Sequence, residues 1–455
     1  MKPDKVILET LSEYVVSLQL TEIPNEVQHQ AKMCLIDVCG VILAGAKTPS
    51  AKMLSDIACI TYGAGNSDVI GTDYKLNPAG AAFANGSSAH ALDFDDNCYA
   101  GIVHGSAVVF PGVLAMAQEL NASGKDLLLG FIVGLEVELA VAKALSNSIY
   151  DRGWWTTSIL GAIGSAAGAS KIVGLSSKLA ANALSLAIVG GGATRAVRGT
   201  TAKHYYCGRA AESGVTASLA ANRGATGPAN VFQDSSGIAK VLNDDIFDAT
   251  IIERLKTEFS LLNPGPDLKK YPVCYASHSC IDAVKEIVKN NLVNCGDVLS
   301  LTCLVPPIVA SNLTYSMPKT VTQAQFSLQF AIAVVLFYGD VKLEHLDHEV
   351  VCNSEVKRLF ERIKMTVGEI PKQFAATKSI CPEWGYVELT TRGGVRRNCF
   401  IGSPLGSALR PMPKDILRQK FENCCSHGGC GESADLLYDK ISNIENISKV
   451  RELFQ

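Results

Sequence analysis

The sequence predicts a mostly α-helical protein, built from a large all-helical domain and a smaller α+β domain. Apolar residues recur at helical spacing from residue 5 to about 260, whereas later segments alternate with a period of two. A chain of 455 residues also exceeds the usual size of one hydrophobic core. We therefore expect a helical domain over 1–264, completed by 405–455, and an α+β domain over 265–404.

The helical pattern is clear along most of the chain. Residues 29–44 carry apolar side chains at three-to-four spacing and stop at Gly45. The same criterion predicts helices over 125–145, 156–173, 177–189, 277–289, 322–338, 415–424 and 433–441. Small residues between Gly161 and Ala169 permit close helix–helix approach, so we expect a tightly packed bundle.

The strands are expected beyond the stiff segment Asn263-Pro264-Gly265-Pro266, which marks a domain boundary. Apolar residues alternate from Leu299 to Val305 and again over 363–367. Residues 386–391 and 395–401 flank Arg392-Gly393-Gly394, a sequence typical of a β-hairpin.

Composition excludes several functional classes. The net charge is −3, only 19% of residues are charged, and no basic stripe is present, so we expect no nucleic-acid partner. The first residues lack an apolar signal region, and no long apolar run has the character of a membrane span. We therefore expect a cytoplasmic protein without a membrane partner.

The cysteines do not suggest disulfides, because their number is odd (fifteen) and they are scattered. One cluster, Cys424, Cys425, His427 and Cys430, could ligate zinc or an iron–sulfur cluster. A seven-residue span strains tetrahedral closure. We expect a glycine-rich helix end without metal there, and the metal site stays the alternative.

A dense group of titratable residues lies in an otherwise apolar region. His90, Asp93, Asp95, Asp96 and His104 fall within fifteen residues. Helix capping would explain one or two of these acids. A core tolerates so many charges only where they are paired or useful, so we interpret the group as a functional site.

A cationic segment follows glycine residues 190–192. It carries Arg195, Arg198, Lys203, His204 and Arg209. Neither the P-loop motif nor the Gly-x-Gly-x-x-Gly motif is present, so a nucleotide is an unlikely ligand. Cations of this kind suit a small carboxylate substrate, and solvated surface residues are the alternative.

Together these motifs resemble those of the MmgE/PrpD family. The resemblance rests on residues 90–96, 104–107, 152–161 and 200–214, and on Lys-x-Tyr-Pro-x-Cys at 269–274, which occur in the family's order. The family includes dehydratases and decarboxylases of citrate-type acids and an epimerase of iminodisuccinate. The resemblance implies a helical domain, a smaller α+β lid domain, a homodimer and an active site between the domains without a cofactor.

Site residues follow from the same resemblance. Asp93, His104, Lys203 and Lys269 match the family's motifs directly, and Tyr315 matches a lid tyrosine more loosely. We expect His104 to act as general acid or base, oriented by Asp93. Tyr315 is a further catalytic candidate, which in an epimerase could face His104 from the opposite side of the substrate. The two lysines would bind substrate carboxylates.

Two of the site positions depart from the family pattern. Asn97 stands where the decarboxylases have threonine, and Trp155 stands where dehydratases and decarboxylases usually have histidine. Both are expected to contact the substrate, and an indole cannot exchange protons as an imidazole does. The sequence thus predicts a lyase of a small di- or tricarboxylate. An epimerase and a non-catalytic carboxylate-binding protein are the alternatives.

Overall fold

The computed structural model describes residues 7–188, 190–291 and 293–454. The helices of this part of the chain are α1 (Ile7–Ser17), α2 (Asn25–Gly45), α3 (Pro49–Thr61), α4 (Pro78–His90), α5 (Gly105–Glu119), α6 (Gly124–Leu145), α7 (Ser148–Asp151), α8 (Thr156–Val173), α9 (Ser177–Ala187), α10 (Ala202–Asn222), α11 (Ile238–Asn243), α12 (Ala249–Glu253), α13 (His278–Asn291), α14 (Pro307–Asn312), α15 (Val321–Ala324), α16 (Leu328–Tyr338), α17 (His348–Cys352), α18 (Ser354–Phe360), α19 (Lys414–His427) and α20 (Ala434–Ser442). The strands are β1 (Ala64–Asp68), β2 (Lys75–Leu76), β3 (Val298–Val305), β4 (Ile363–Val367), β5 (Gly385–Thr391) and β6 (Arg396–Ile401). The prediction of a mostly α-helical protein with a smaller α+β part is confirmed.

The N-terminal helices form a closely packed bundle in which α10 contacts α4 and α8, and α6 contacts α8. Glycines make the α6–α8 contact possible. A Cβ atom on Gly134 would lie 2.8 Å from the carbonyl oxygen of Gly164, and one on Gly168 would lie 2.7 Å from that of Gly130. The backbones therefore approach more closely than larger residues would allow.

Two large hydrophobic clusters organise the chain. The larger one draws its residues from 7–268 and again from 412–453, and the smaller one from 271–389. Helices α19 and α20 thus return to the N-terminal bundle, where both pack against α2. The exact domain limits stay a prediction.

The second cluster surrounds a four-stranded sheet with the order β4-β3-β5-β6. Strands β3 and β4 are parallel, and the other pairs are antiparallel, so β5 and β6 form the predicted hairpin. Leu301, Cys303 and Val305 are buried as their alternation predicts, but Leu299 is exposed. The register shifts between Val298 and Ser300, which turns Leu299 away from the core.

Two elements differ from the sequence prediction. The helix expected over 322–338 is divided into α15 and α16, because the Ser327 side chain caps α16 by accepting from the backbone N–H of Phe330. The break carries Phe326 to the cavity described below. The N-terminal domain is also not entirely helical, since β1 and β2 form a small antiparallel sheet from mostly polar residues that lack an alternating pattern.

Helix α2 is long and apolar enough to cross a membrane, contrary to the sequence-based expectation, and it is the one helix of the described residues that meets this criterion. However, 72% of its apolar window is buried inside the folded chain. Its buried Asp37 also pairs with Lys420 of α19 at 2.6 Å. The length and apolar composition of α2 therefore agree with a helix that lies mostly inside the folded chain.

Candidate active site

The loop between α4 and α5 carries most of the titratable group. Helix α4 ends at His90, and the chain then turns through left-handed backbone at Asp93 (φ 49°) before α5 begins after His104. The loop is fixed from outside, because the backbone of Asn97 pairs in both directions with that of Asp267. This pairing brings the loop against the segment that contains Lys269.

Asp93 is bound by two buried lysines. One of its carboxylate oxygens lies 2.8 Å from Nζ of Lys203, on α10, and 3.3 Å from Nζ of Lys269. Lys269 also donates to the Asp93 backbone carbonyl at 2.9 Å. Burial alone would raise the pKa of Asp93, but the two ammonium groups hold it well below its usual range. Burial would likewise lower the pKa of Lys269, and Asp93 and Asp95 raise it instead.

His90 connects this pair to Asp95. Its Nδ1 donates to the Asp95 carboxylate at 2.8 Å, and its Nε2 accepts from the Lys203 ammonium group. Because Nε2 accepts from the ammonium group and burial lowers the pKa of His90, the ring is neutral and lies between charged neighbours. The sequence analysis included His90 and Asp95 in the functional group but gave neither residue an individual role.

His104 has a different orienting group from the one predicted. Its Nδ1 lies 2.7 Å from the backbone carbonyl of Asp96 and 3.4 Å from the Asp95 carboxylate. The prediction that Asp93 orients it is wrong, because the left-handed turn directs Asp93 to the lysines. Since a carbonyl can only accept, Nδ1 carries the proton and Nε2 holds a free lone pair. Burial, reinforced by Lys269, lowers the pKa of His104 well below its usual value.

These groups meet in a small cavity of about 40 Å³, which residues of the N-terminal bundle and of the later α+β part line together. Its lining consists of Asp93, Asn97, Ile102, His104, Tyr150, Trp155, Arg195, Arg198, Lys203, Lys269, Cys274, Tyr275, Asn312, Phe326 and Glu383. Six of the seven residues predicted for the site therefore lie together.

Asn97 and Trp155 are both buried in the cavity wall. The ring centroids of Trp155 and His90 lie 5.4 Å apart. Nζ of Lys203 also lies 5.4 Å from the Trp155 ring centroid. Asn97 donates through Nδ2 to the Asp267 carboxylate at 3.4 Å. Burial raises the pKa of Asp267 to about 7. The positions of Asn97 and Trp155 agree with the prediction, while their contact with substrate stays a prediction.

Tyr315 is the exception among the predicted residues, since it is not part of the cavity lining. Its hydroxyl group donates to the backbone carbonyl of Arg198 at 3.1 Å. The ring packs on Gly199, where an added Cβ atom would come within 2.6 Å of it. Because Gly199 has no side chain, the tyrosine ring can lie against the backbone there, and Tyr315 stays outside the residues that line the cavity.

A second polar network, centred on Asn312, also lines the cavity. Asn312, at the end of α14, accepts through Oδ1 from the Tyr150 hydroxyl group at 2.7 Å and from Arg195 and Arg198 at 3.1 Å each. Its Nδ2 donates to Glu383 at 3.1 Å. Sequence analysis noted the arginines only as general cations and missed Asn312 and Glu383, which no motif distinguishes.

One group in the described residues has the ligand types for a metal ion, namely His90, Asp95 and His104, whose donor atoms lie within 4.8 Å of one another. Both imidazoles already use Nδ1–H toward Asp95 or the Asp96 carbonyl. The ammonium groups of Lys203 and Lys269 would also repel a divalent cation. The arrangement is better suited to holding protons than to holding a metal.

The C-terminal cysteine cluster does not converge as a metal site would. Cys424 packs with Phe94 in a small separate hydrophobic cluster, whereas Cys430 donates to the backbone carbonyl of Cys425 at 3.4 Å. Gly428 and Gly429 follow the end of α19, as the sequence predicts for a helix end. The absence of a metal here stays a prediction.

Comparison with known families matches nearly the whole chain. The model of the MmgE/PrpD N-terminal domain matches residues 9–248, and that of the MmgE/PrpD C-terminal domain matches residues 271–437. The break between the two models falls next to the predicted boundary at Asn263-Pro264-Gly265-Pro266.

Characterised relatives are lyases. Human cis-aconitate decarboxylase is 25% identical over 458 residues, which cover 97% of this chain and 92% of the human protein. A cis-aconitate decarboxylase from Aspergillus terreus is 27% identical over 471 residues, with 99% and 95% coverage. The 2-methylcitrate dehydratase of Escherichia coli O157:H7 is 31% identical over 222 residues, 45% of each chain. This chain therefore belongs to the MmgE/PrpD family and is an enzyme of that type.

Proposed function

We propose that the protein is a cofactor-independent lyase that acts on a small di- or tricarboxylate by proton transfer at a carbon α to a carboxylate. The observation that carries this proposal is the state of His104. Its Nδ1–H is committed to the Asp96 carbonyl, so Nε2 is an available base inside the cavity. The lowered pKa keeps the ring neutral near pH 7, which is the form that can accept a proton from carbon.

The chemistry follows from the atoms at hand. In a dehydration, His104 Nε2 takes the α-proton, the electron pair forms the carbon–carbon double bond, and the hydroxyl group leaves as water after it is protonated. In a decarboxylation, the carbon–carbon bond breaks, carbon dioxide leaves, and a proton replaces it. Both routes develop negative charge next to a carboxylate, and donors placed there beforehand stabilise it.

The lysines can supply such donors. An ammonium group has three hydrogens, and Lys203 uses one on Asp93 and one on His90. The third is available to a substrate in the cavity that Lys203 lines. Because Asp93 already balances part of their charge, the lysines act on the substrate through directed hydrogen bonds more than through net charge.

The alternatives carry less support. An epimerase needs a proton donor on the face opposite His104, and the residue expected there, Tyr315, is held by Arg198. The similar proteins named above are decarboxylases and dehydratases. A non-catalytic binding protein would have no need of a polarised base beside two buried lysines.

A substrate panel separates the three functions. Citrate, 2-methylcitrate, cis-aconitate and iminodisuccinate would be incubated with the protein in deuterium oxide and followed by proton NMR. New alkene or decarboxylated products support the lyase. Deuterium exchange without net conversion would indicate an epimerase, and thermal stabilisation without either would indicate a binding protein.

The His104→Gln variant tests the mechanism on whichever substrate turns over. Glutamine can still donate to the Asp96 carbonyl but cannot exchange a proton, so turnover should fall by about 10²–10⁴-fold. The matched control is His348→Gln on the exposed helix α17, which should leave turnover unchanged. A His104→Gln variant within about tenfold of wild type would remove this residue from the proton-transfer step.

A further inference from the structure

The charges around the cavity form two groups, one balanced and one not. Lys203 and Lys269 are balanced by the buried carboxylates of Asp93 and Asp95, whose pKa values are both lowered by this environment despite burial. Arg195 and Arg198 also line the cavity. Within the described residues, no carboxylate lies within ion-pair distance of either guanidinium group.

The arginines bind only neutral acceptors. Arg195 donates to the Ser311 hydroxyl group at 2.9 Å and to Asn312 Oδ1 at 3.1 Å. Arg198 donates to the Ser311 carbonyl, to Asn312 Oδ1 at 3.1 Å and to the Arg195 carbonyl at 3.0 Å. Two adjacent positive charges thus share one amide oxygen, and an anion placed between them would relieve their mutual repulsion.

Arg195 is also held in a conformation suited to a planar ligand. Its guanidinium carbon lies 3.9 Å above the centre of the Tyr150 ring, and its backbone N–H donates to the Gly153 carbonyl at 2.8 Å. Its Nε is buried and has no hydrogen-bond partner in the described part of the chain. An ordered guanidinium group with an unused buried donor is prepared for a carboxylate.

Glu383 is the carboxyl group that Asn312 connects to the arginine pair, and it does not act as their counter-ion. It contacts the arginines only through Asn312, whose amide stands between them, and it accepts from Tyr99 at 2.7 Å. Burial raises the pKa of Glu383, which weakens it as a counter-ion.

We propose that Arg195 and Arg198 form a second carboxylate subsite, which binds a carboxylate of the substrate other than the one at the reacting carbon. The inference rests on the proposed lyase function and assigns the binding place of the substrate's second carboxylate, which would bridge the helical domain to Ser311 and Asn312 of the α+β domain. A monocarboxylic acid leaves the arginine pair without its anion and binds poorly.

The same contacts could serve only to join the two domains. In that case Arg198→Gln would lower stability and weaken all ligands alike, whatever their charge. A subsite instead discriminates between a carboxylate and the isosteric carboxamide. The measurement therefore has to be a ratio of affinities for two ligands that differ in this one group.

The experiment is calorimetric titration of the full-length protein with tricarballylate, which lacks a hydroxyl group to lose, and with its terminal monoamide. Wild type should prefer the tricarboxylate by about 10- to 100-fold, the usual effect of a hydrogen-bonded charge. Arg198→Gln should reduce that preference to less than about threefold. Arg198→Lys should keep part of it, and the exposed control Arg223→Gln should keep it all.

Two results would overturn the subsite: a wild-type protein that binds both ligands equally, or an Arg198→Gln variant that retains the full preference. Turnover on the substrate panel reports separately on the lyase proposal. Binding that depends on Arg198, without turnover of any acid in the panel, would refute the lyase proposal and leave the subsite. Turnover by a protein whose Arg198→Gln variant keeps the full preference for tricarballylate would refute the subsite and leave the lyase proposal.

Discussion

The cavity brings together two kinds of cation that the sequence does not distinguish. Lys203 and Lys269 make up what we call the balanced side, since they are buried and bound to Asp93. Arg195 and Arg198 make up the unbalanced side, since they are partly exposed and bound to neutral oxygens. All four match the general expectation for a carboxylate-binding site. Only the arginines, however, have positive charge left over for a ligand.

The difference shows that a count of cations does not identify the groups that balance a substrate's charge. A buried, charged lysine is strongly destabilising unless a buried counter-ion pairs with it. Its charge is therefore already balanced within the protein. Its remaining N–H groups still orient a substrate. A guanidinium group with neutral partners keeps its charge available, and its planar shape matches a carboxylate.

The largest predicted effect tests the balanced side. Lys269→Met leaves Asp93 with one cation in a buried site and should lower the free energy of unfolding by about 3–5 kcal/mol. Arg198→Gln should cost about 1 kcal/mol, because it removes hydrogen bonds without stranding a charge. Urea denaturation of both variants measures the difference.

A double variant sharpens this test. Asp93→Asn combined with Lys269→Met removes both members of the pair and should be more stable than the sum of the single changes implies. The exposed Lys319→Met is the control for loss of a lysine and should stay within about 0.5 kcal/mol of wild type. If Lys269→Met costs no more than Arg198→Gln, the distinction between the two sides fails.

The sequence analysis predicted most residues of the balanced side, but it missed most contacts of the unbalanced side. Asp93, His104, Lys203 and Lys269 lie in compact motifs, and these motifs meet where the sequence predicted an interdomain site. Their pairing could not be read from spacing, because the left-handed backbone at Asp93 decides which neighbour its carboxylate reaches.

The unbalanced side depends on contacts distant in the chain. Asn312 and Glu383 are 71 positions apart in the chain, and neither belongs to a recognisable sequence motif. They meet because the end of α14 lies against the loop before β5. The fold shows the same contrast. Helix and strand patterns were predictable, whereas the break between α15 and α16 follows from a cap and from contacts of Gln325 with Ala91 that no periodicity reveals.

The next effect concerns the residue between the two sides. Trp155 places its indole beside His90 and Lys203, while its backbone N–H donates to the Ala193 carbonyl in the segment that leads to Arg195. Trp155→His would place a proton-exchanging imidazole at this position, where the family resemblance implies a histidine in related lyases. We expect measurable activity on a citrate-type acid that wild type does not convert, with a loss of stability of about 1–3 kcal/mol from the smaller ring.

Trp154→His is the matched control, because Trp154 precedes Trp155 but is not part of the cavity lining. It should leave the substrate profile unchanged in the NMR panel. A Trp155→His variant that folds, binds tricarballylate and has the wild-type profile would mean that the indole at this position does not determine specificity.

The smallest effect involves a buried titratable group of a third kind, which has neither a counter-ion nor a hydrogen-bond partner in the described residues. Glu138, on α6, is buried, and neither carboxyl oxygen has a hydrogen-bond partner in the described residues. Burial raises its pKa well above the usual value, and Asp96 adds to the shift. The folded protein therefore holds this proton at pH values where the unfolded chain has released it. By linkage, stability declines as the pH rises from the unfolded value near 4.5 toward the raised folded pKa.

Glu138→Gln removes this titration while it keeps the shape of the side chain. The melting temperature of the variant minus that of wild type should increase by about 1–2 °C as the pH rises from 5 to 8. The exposed Glu253→Gln is the control and should follow the wild-type curve throughout. Parallel curves for wild type and Glu138→Gln would mean that Glu138 titrates alike in the folded and unfolded chain. A carboxyl group in this protein could then be buried in its ionised form without a paired cation such as Asp93 has.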